Sequence, residues 1–540
     1  MGASVVEGEA LFWSPLETAW NLVRVFLAFF AFYSALTFDN TVPPSTKDFQ
    51  LAVESRISGE KASIDVREAY FTNALNLLGC TLSSTYGLWV NLLFQIVRQG
   101  LHLIGFAGFE RAMVRRRGKE TQCLELARSY YLLSHVYTSA NTVPLKAWVA
   151  LLRALNVAES VGSDNNPLLA EIYSQMSFHL RFHLPQHSFL LLKYLARYYR
   201  RQSQETRARS VCSTKTHGYL ALHDAWEKMA SGELGEAASD LLIVKNYFVR
   251  SNRVRSAWEV LMFRGIALYL QGNVTECAKV CQEIDEVGLA IQSDERSDAD
   301  SASSITSLVF WNKILLAVSL VHKEPVSEVV ALLEEIAKLE VPHDESKWTE
   351  NQFLQKTLLK AITAYALSRQ EKDEEALKYA EAAFSSLICI PQKTMFMGVA
   401  QLSASLISAT VIESWRHLAG KDNELENKAA TLNRMMTVLL QKFARSIPFA
   451  APRAFLCEAI TLCLKGDMKT GLQRLHKAEV RAVKQKMPME RALAIYYKCV
   501  FLKEFSLQDA LLSESIFMSI GADYEADRVK ALISSEPSSA

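Results

Sequence analysis

Three histidines, His179, His183 and His187, stand four residues apart, a spacing that stacks imidazoles on one helical face and suits a transition-metal site. Pro185 falls between the second and third and would interrupt that helix, and no carboxylate lies inside the run. The expectation is a helix end and its loop, with no metal and no cofactor. A second cluster, Arg197, Arg200, Arg201, Arg207 and Arg209 interleaved with Tyr194, Tyr198 and Tyr199, has the residue types that neutralise phosphate and stack on bases. The same charges suit a helix C-terminus on electrostatic grounds alone. A third cluster, Arg111, Arg115, Arg116, Arg117 and Lys119, is a candidate contact for anionic headgroups or phosphate, with a solvated connector as the alternative. Cys277 and Cys281 are four apart, yet two thiols are too few for a structural zinc site, so they read as packing. Neither a Gly-x-Ser-x-Gly elbow nor a His-Glu-x-x-His pair occurs. The chain is therefore not expected to be an enzyme.

What must position these residues is helix. Only 13 prolines and 21 glycines fall in 540 residues, and half of all residues are apolar, which excludes general disorder. The length is too great for one compact core, so several domains or an elongated repeat array is expected. With 59 basic and 58 acidic residues, no global field attracts nucleic acid, which is not the expected partner. Nine widely spaced cysteines without a CxxC pair point to free thiols in a reducing compartment.

The stretch from His217 to Leu289 carries the pattern that the rest repeats. Helices alternate with breaks at Gly232 and Gly272, and small residues follow each break: Ala237 and Ala238, then Cys277 and Ala278. Similar breaks stand near 370, 420 and 466, with another near Lys323-Glu324-Pro325. The spacing of about 40–50 residues exceeds the roughly 34 of tetratricopeptide repeats, so the units read as degenerate relatives with long helices. The predicted fold class is all-α: a right-handed α-solenoid of tetratricopeptide-like helical hairpins with an apolar N-terminal helix. The predicted layout is an apolar segment over 1–40, a linker over 41–65 and a first helical block over 66–210. Central hairpins over 211–292, an acidic mobile loop over 293–304, a second block over 305–535 and a tail over 536–540 follow.

Trp20 to Phe38 is the most apolar run, with Phe29, Phe30 and Phe32 at its centre and Arg24 near one end. As a helix it would span roughly 28 Å against a hydrocarbon thickness of about 30 Å, and Arg24 could snorkel. Two readings stand: a membrane anchor, or a helix buried against the first repeat or in a partner's groove. Glu7, Glu9 and Glu17 precede the run, which argues against a cleaved signal peptide. Leu88 to Phe109 is also apolar, but Asn91, Gln95, Arg98, Gln99 and His102 fall on one stripe. That helix is expected to lie in an interface or on a protein core rather than to cross a bilayer.

Val66 to Arg117, with its Ala-Leu-Asn-Leu-Leu-Gly and Leu-Leu-Phe-Gln-Ile-Val-Arg-Gln-Gly-Leu-His segments, Ala147 to Glu159 and Arg264 to Gly272 together resemble a known family. So does the ending Glu514 to Ala522 with Asp523 and Arg528. They are similar to the C-terminal tetratricopeptide-like helical-repeat region of large signalling ATPases and class III adenylyl cyclases. The resemblance implies a regulatory or assembly role. It does not carry ATPase or cyclase activity over, because there is no Gly-x-x-x-x-Gly-Lys-Ser/Thr loop and too little chain before the array for a catalytic domain. The expected function is a non-enzymatic scaffold or adaptor presenting a concave repeat surface to other proteins, with no small-molecule substrate. The expected setting is membrane-associated with the array facing the cytoplasm; soluble and cytoplasmic is the alternative. The competing reading is a regulatory subunit of a signalling ATPase or cyclase acting with a separate catalytic chain.

Overall fold

Among the described residues the first helix is preceded by Ser45, whose Oγ accepts the Asp48 amide at 3.1 Å and so satisfies one of the orphan donors of a first turn. The computed structural model describes residues 45–535 except 62–63, 81–84, 141–143, 163–165, 183–189, 295–298, 324, 339–349, 390–396 and 503–505. The described residues form 23 α-helices, one short 3-10 turn and no strand, so the all-α expectation holds. They divide into two compact units at Val161 and Gly162, some fifty residues before the expected block boundary at 210.

The first unit holds α1 (Thr46–Lys61), α2 (Ile64–Leu77), α3 (Thr85–Leu103), α4 (Ala107–Arg116), α5 (Glu120–Ala140) and α6 (Pro144–Val161). Helix α1 lies inside the stretch expected to be linker. Its polar sequence hides a buried side in which Ala52, Ser55 and Arg56 are covered and Arg56 pairs with Glu125 of α5. Helix α6 is the hub, packing against α3, α4 and α5, with Ala150, Leu151, Ala154, Leu155 and Asn156 wholly enclosed. The single helix expected over Leu88–Phe109 is two. Gly105, at φ +104°, takes the left-handed conformation that glycine adopts at little cost, and the chain turns by 98° between α3 and α4.

The second unit runs as α7 (Pro167–Phe182), α8 (Leu190–Arg209), α9 (Thr214–Ser231), α10 (Leu234–Arg250), α11 (Val254–Gln271), α12 (Val274–Asp294), α13 (Ala299–Leu320) and α14 (Val326–Ala337). It continues as α15 (Glu350–Arg369), α16 (Asp373–Cys389), α17 (Met397–Leu418), α18 (Asn423–Ser446), the 3-10 turn Pro448–Ala450, α19 (Ala451–Leu464), α20 (Met468–Lys484), α21 (Pro488–Phe501), α22 (Leu507–Ile520) and α23 (Asp523–Ser535). Each helix packs on the next except that α9 packs on α7 in place of α8, and from α13 to α21 each odd-numbered helix also packs on the odd-numbered one before it. Hairpin breaks fall at left-handed residues: Gly232, Gly272, Gly420 and Gly466, with Glu371 at φ +59° replacing glycine in the fourth-to-be-expected position near 370. The stretch read as a loop over 293–304 is mostly helical: α12 reaches Asp294 and α13 begins at Ala299.

Contacts distant in sequence close the odd-numbered layer on itself. Helix α11 touches α17, the Gly232 break lies against Pro448 and Phe449, and the Gly272 break lies against Met489. Helix α17 is consequently buried almost all round, from Gln401 to Trp415, where an open groove would leave one side wet.

Candidate interaction surfaces

Polarity in α3 is reversed. Asn91, Gln95, Arg98, Gln99 and His102 are buried, at 4–7% exposure, whereas Trp89, Val90 and Leu93 are 65–66% exposed and Ile104, just past the helix end, is 76% exposed. The cause is a matching stripe on α6. Arg153 Nε donates to Asn91 Oδ1 at 3.2 Å, Asn156 Nδ2 to Gln95 Oε1 at 2.8 Å and Gln99 Nε2 to Glu159 at 3.1 Å. Arg98 pairs with Glu110 of α4, its Nε at 3.1 Å. His102 joins the set with Nδ1 2.7 Å from Glu159 and Nε2 3.2 Å from Glu110. A buried polar group is costly unless partnered, so this ladder, with Leu88, Phe94 and Leu101 buried beside it, faces inward and leaves Trp89, Leu93 and Ile96 in water.

The charges of that network set a pH window. Burial would raise the Glu110 carboxyl, but Arg98 and His102 outweigh it and lower it from 4.5 to about 2. Burial would also lower His102, but Glu110 and Glu159 outweigh it and hold it above its ordinary 6.5. A depressed carboxyl contributes stability above its unfolded value and loses it as pH falls; a raised histidine contributes below its unfolded value and loses it as pH rises through the folded one. Amide protection of α3 in the full chain is therefore expected to be greatest between 4.5 and 6.5. It should decline on both sides in hydrogen-exchange measurements, with the alkaline decline absent in His102→Gln.

A second network fills the interior of the second unit, around a cavity of about 40 Å³. Arg453 Nη2 donates to Glu490 at 2.7 Å. Glu525 of α23 takes His322 Nδ1 at 2.6 Å and the Tyr365 hydroxyl at 2.9 Å. Arg528 Nη2 donates to Glu413 of α17 at 2.7 Å and stacks over Tyr496 at 4.7 Å. Arg416 reaches the other oxygen of Glu413 at 3.2 Å. Burial would raise Glu413, but Arg528 and Arg416 overcome it and hold the carboxyl below its usual range. His322 does the same for Glu525. Each acid here is matched to a base, and the space suits water rather than a ligand, whose sites run to about 300–1,000 Å³. The network ties α23 to α13, α15 and α17. No local pattern marks the network in the sequence except at Glu413, a lone charge on the apolar run Val411-Ile412-Glu413-Ser414-Trp415.

The outer layer differs. Between α9 and α23 the exposed large apolar side chains among the described residues lie on even-numbered helices: Ile243 on α10, Tyr379 on α16, Val438 on α18, Val480 and Val483 on α20, and Leu511 on α22 among them.

The residues singled out from sequence separate. Arg115, Arg116 and Arg117 are exposed at and just beyond the end of α4. The Arg197 cluster is split. Arg200 Nη1 lies 2.5 Å from Glu227, Arg201 pairs with Glu205 at 2.7 Å and Tyr199 is buried against Tyr173, whereas Arg197 stays exposed. His179 is buried, and His183 and His187 lie outside the described residues. Among the described residues no group of three His, Cys, Asp or Glu is placed to hold a metal. Cys277 and Cys281 are buried in the core. Trp20, Arg24, Phe29, Phe30, Phe32 and Phe38 lie outside the described residues. Among those described no single helix is long and apolar enough to cross a membrane; the bent pair α3–α4 reaches that apolarity only jointly. No known family model matches the chain, and no curated protein matches it significantly.

Proposed function

We propose that this chain is a non-enzymatic helical-repeat scaffold, a right-handed α-solenoid of tetratricopeptide-like hairpins, that binds another protein along the outer helices of residues 162–535. The carrying observation is the segregation of exposed apolar side chains onto the even-numbered helices while the odd-numbered layer is buried against itself. This relocates the docking surface expected on a concave groove to the opposite side of each hairpin. Patches of exposed apolar residues mark interaction sites in soluble domains, and a few central side chains usually carry most of the binding. In this reading Trp20 to Phe38 tethers the scaffold to a membrane with the array facing the cytoplasm.

The test is affinity capture with the full chain. Val483→Glu combined with Leu511→Glu is expected to weaken capture about ten-fold or more while leaving the unfolding midpoint unchanged, because both side chains are exposed. Photo-crosslinks placed at Val438 and Val483 should reach the same partner. Capture indifferent to charges on the outer helices would contradict the reading.

A further inference from the structure

An exposed apolar stripe, a bend that prevents spanning and a cationic border occur together in α3 and α4. Trp89, Leu93, Ile96, Gly100 and Leu103 repeat at steps of four and three along the outward side of α3, which is one helical face. Leu93 is 65% and Ile96 50% exposed. Past the bend, Phe109 at 61% and Met113 at 37% continue the apolar surface along α4. Added Cβ atoms at Gly100, Gly105 and Gly108 would meet nothing within 4 Å, so the surface is open along both arms. Arg116 follows Phe109 by seven residues and Met113 by three, which places it on the same stripe of α4. Arg115 and Arg117 flank it, all three exposed; Arg115 also lies 3.2 Å from Glu120. Glu110, the other carboxylate here, is buried against Arg98.

We propose that α3 and α4 form a monotopic docking element that lies in the plane of an anionic phospholipid bilayer, its apolar stripe among the acyl chains and Arg115, Arg116 and Arg117 among the headgroups. The 98° turn rules out a straight span, whereas an amphipathic element with basic residues at its border matches the chemistry of an interfacial one. The buried ladder to α6 matters here, because it holds the apolar side outward before any membrane is met. A groove on a protein would need no run of cations at the edge of the stripe; the charge favours lipid. The inference concerns residues 85–119, is independent of the outer-helix scaffold reading and does not require Trp20 to Phe38 to be an anchor.

The test uses the full chain on vesicles of phosphatidylcholine and phosphatidylserine that contain a phospholipid with a photoactivatable acyl chain, with labelled residues mapped by mass spectrometry. Acyl-chain labelling between Trp89 and Met113 is expected. It should fall about ten-fold in Leu93→Glu combined with Ile104→Glu, and similarly in vesicles without phosphatidylserine or in about 1 M salt, where screening shortens to about 3 Å. The unfolding midpoint should not move, since both substituted side chains are exposed. Labelling confined to other parts of the chain would overturn the proposal. So would a concentration-dependent dimer abolished by the same substitutions, a protein crosslinked at this stripe in place of lipid, or a crosslink from Trp20 to Phe38 onto it. Partner capture through Val483 and Leu511 is read separately and does not bear on these outcomes.

Discussion

Glu413→Ala is expected to destabilise residues 162–535 by about 3–5 kcal/mol, the usual penalty for removing one side of a buried ion pair. Two guanidiniums depend on that carboxylate: Arg528 at 2.7 Å and Arg416 at 3.2 Å. Tyr497 also donates to it. The side chain is 5% exposed, so bulk water cannot replace the lost partner. Denaturant unfolding of the full chain reads the effect as a lower midpoint for the transition of this unit. The apolar double substitution Glu413→Leu with Arg528→Met should recover part of the loss, because it removes the more deeply buried of the two orphaned guanidiniums, while Arg416, at 28% exposure, keeps access to water. An equal loss in both variants would mean that shape, not charge, decides this site.

Gly272→Ala is expected to cost about 2–5 kcal/mol, from left-handed strain of about 1–2 and overpacking of about 1–3. At φ +94° a Cβ would stand 2.8 Å from Met489 Cβ and 2.9 Å from its amide nitrogen. The obstacle is partly backbone, so no rotamer change relieves it. Gly420→Ala supplies the contrast. Its φ is +74°, but a Cβ would meet nothing within 4 Å, so only the conformational part, about 1–2 kcal/mol, should appear. Thermal unfolding of the two variants separates a break that merely ends a helix from one that also seats a distant helix. Equal losses would contradict the contact between Gly272 and α21.

Hairpin breaks were legible because a left-handed residue is needed where each helix stops, and glycine supplies it at 232, 272, 420 and 466. The polar stripe of α3 was legible from its spacing. Its direction was not, since an amphipathic period is identical whichever side is buried; only Arg153, Asn156 and Glu159 on α6, some sixty residues away, decide it. Helix α1 escaped notice because its buried side is held by Arg56 and Ser55 rather than by an apolar period. Composition also misled over 293–304, where serine and acidic residues suggested a loop and helix occupies every described residue, 293–294 and 299–304. The interior network was the least visible. His322 and Glu525 are 203 residues apart and Glu413 and Arg528 are 115 apart, and no local pattern joins them.

Closure of the odd-numbered layer requires α23 to be locked inside it. Native-state hydrogen exchange of the full chain tests this directly. If the helix is held by Glu413, His322, Tyr365 and Tyr496, the amides of its central turns should exchange only with opening of the whole unit, at rates matching those of α15 and α17. Exchange of α23 within seconds, while α15 and α17 stay protected, would show a detachable end and an open inner face, and would return the docking surface to the concave side.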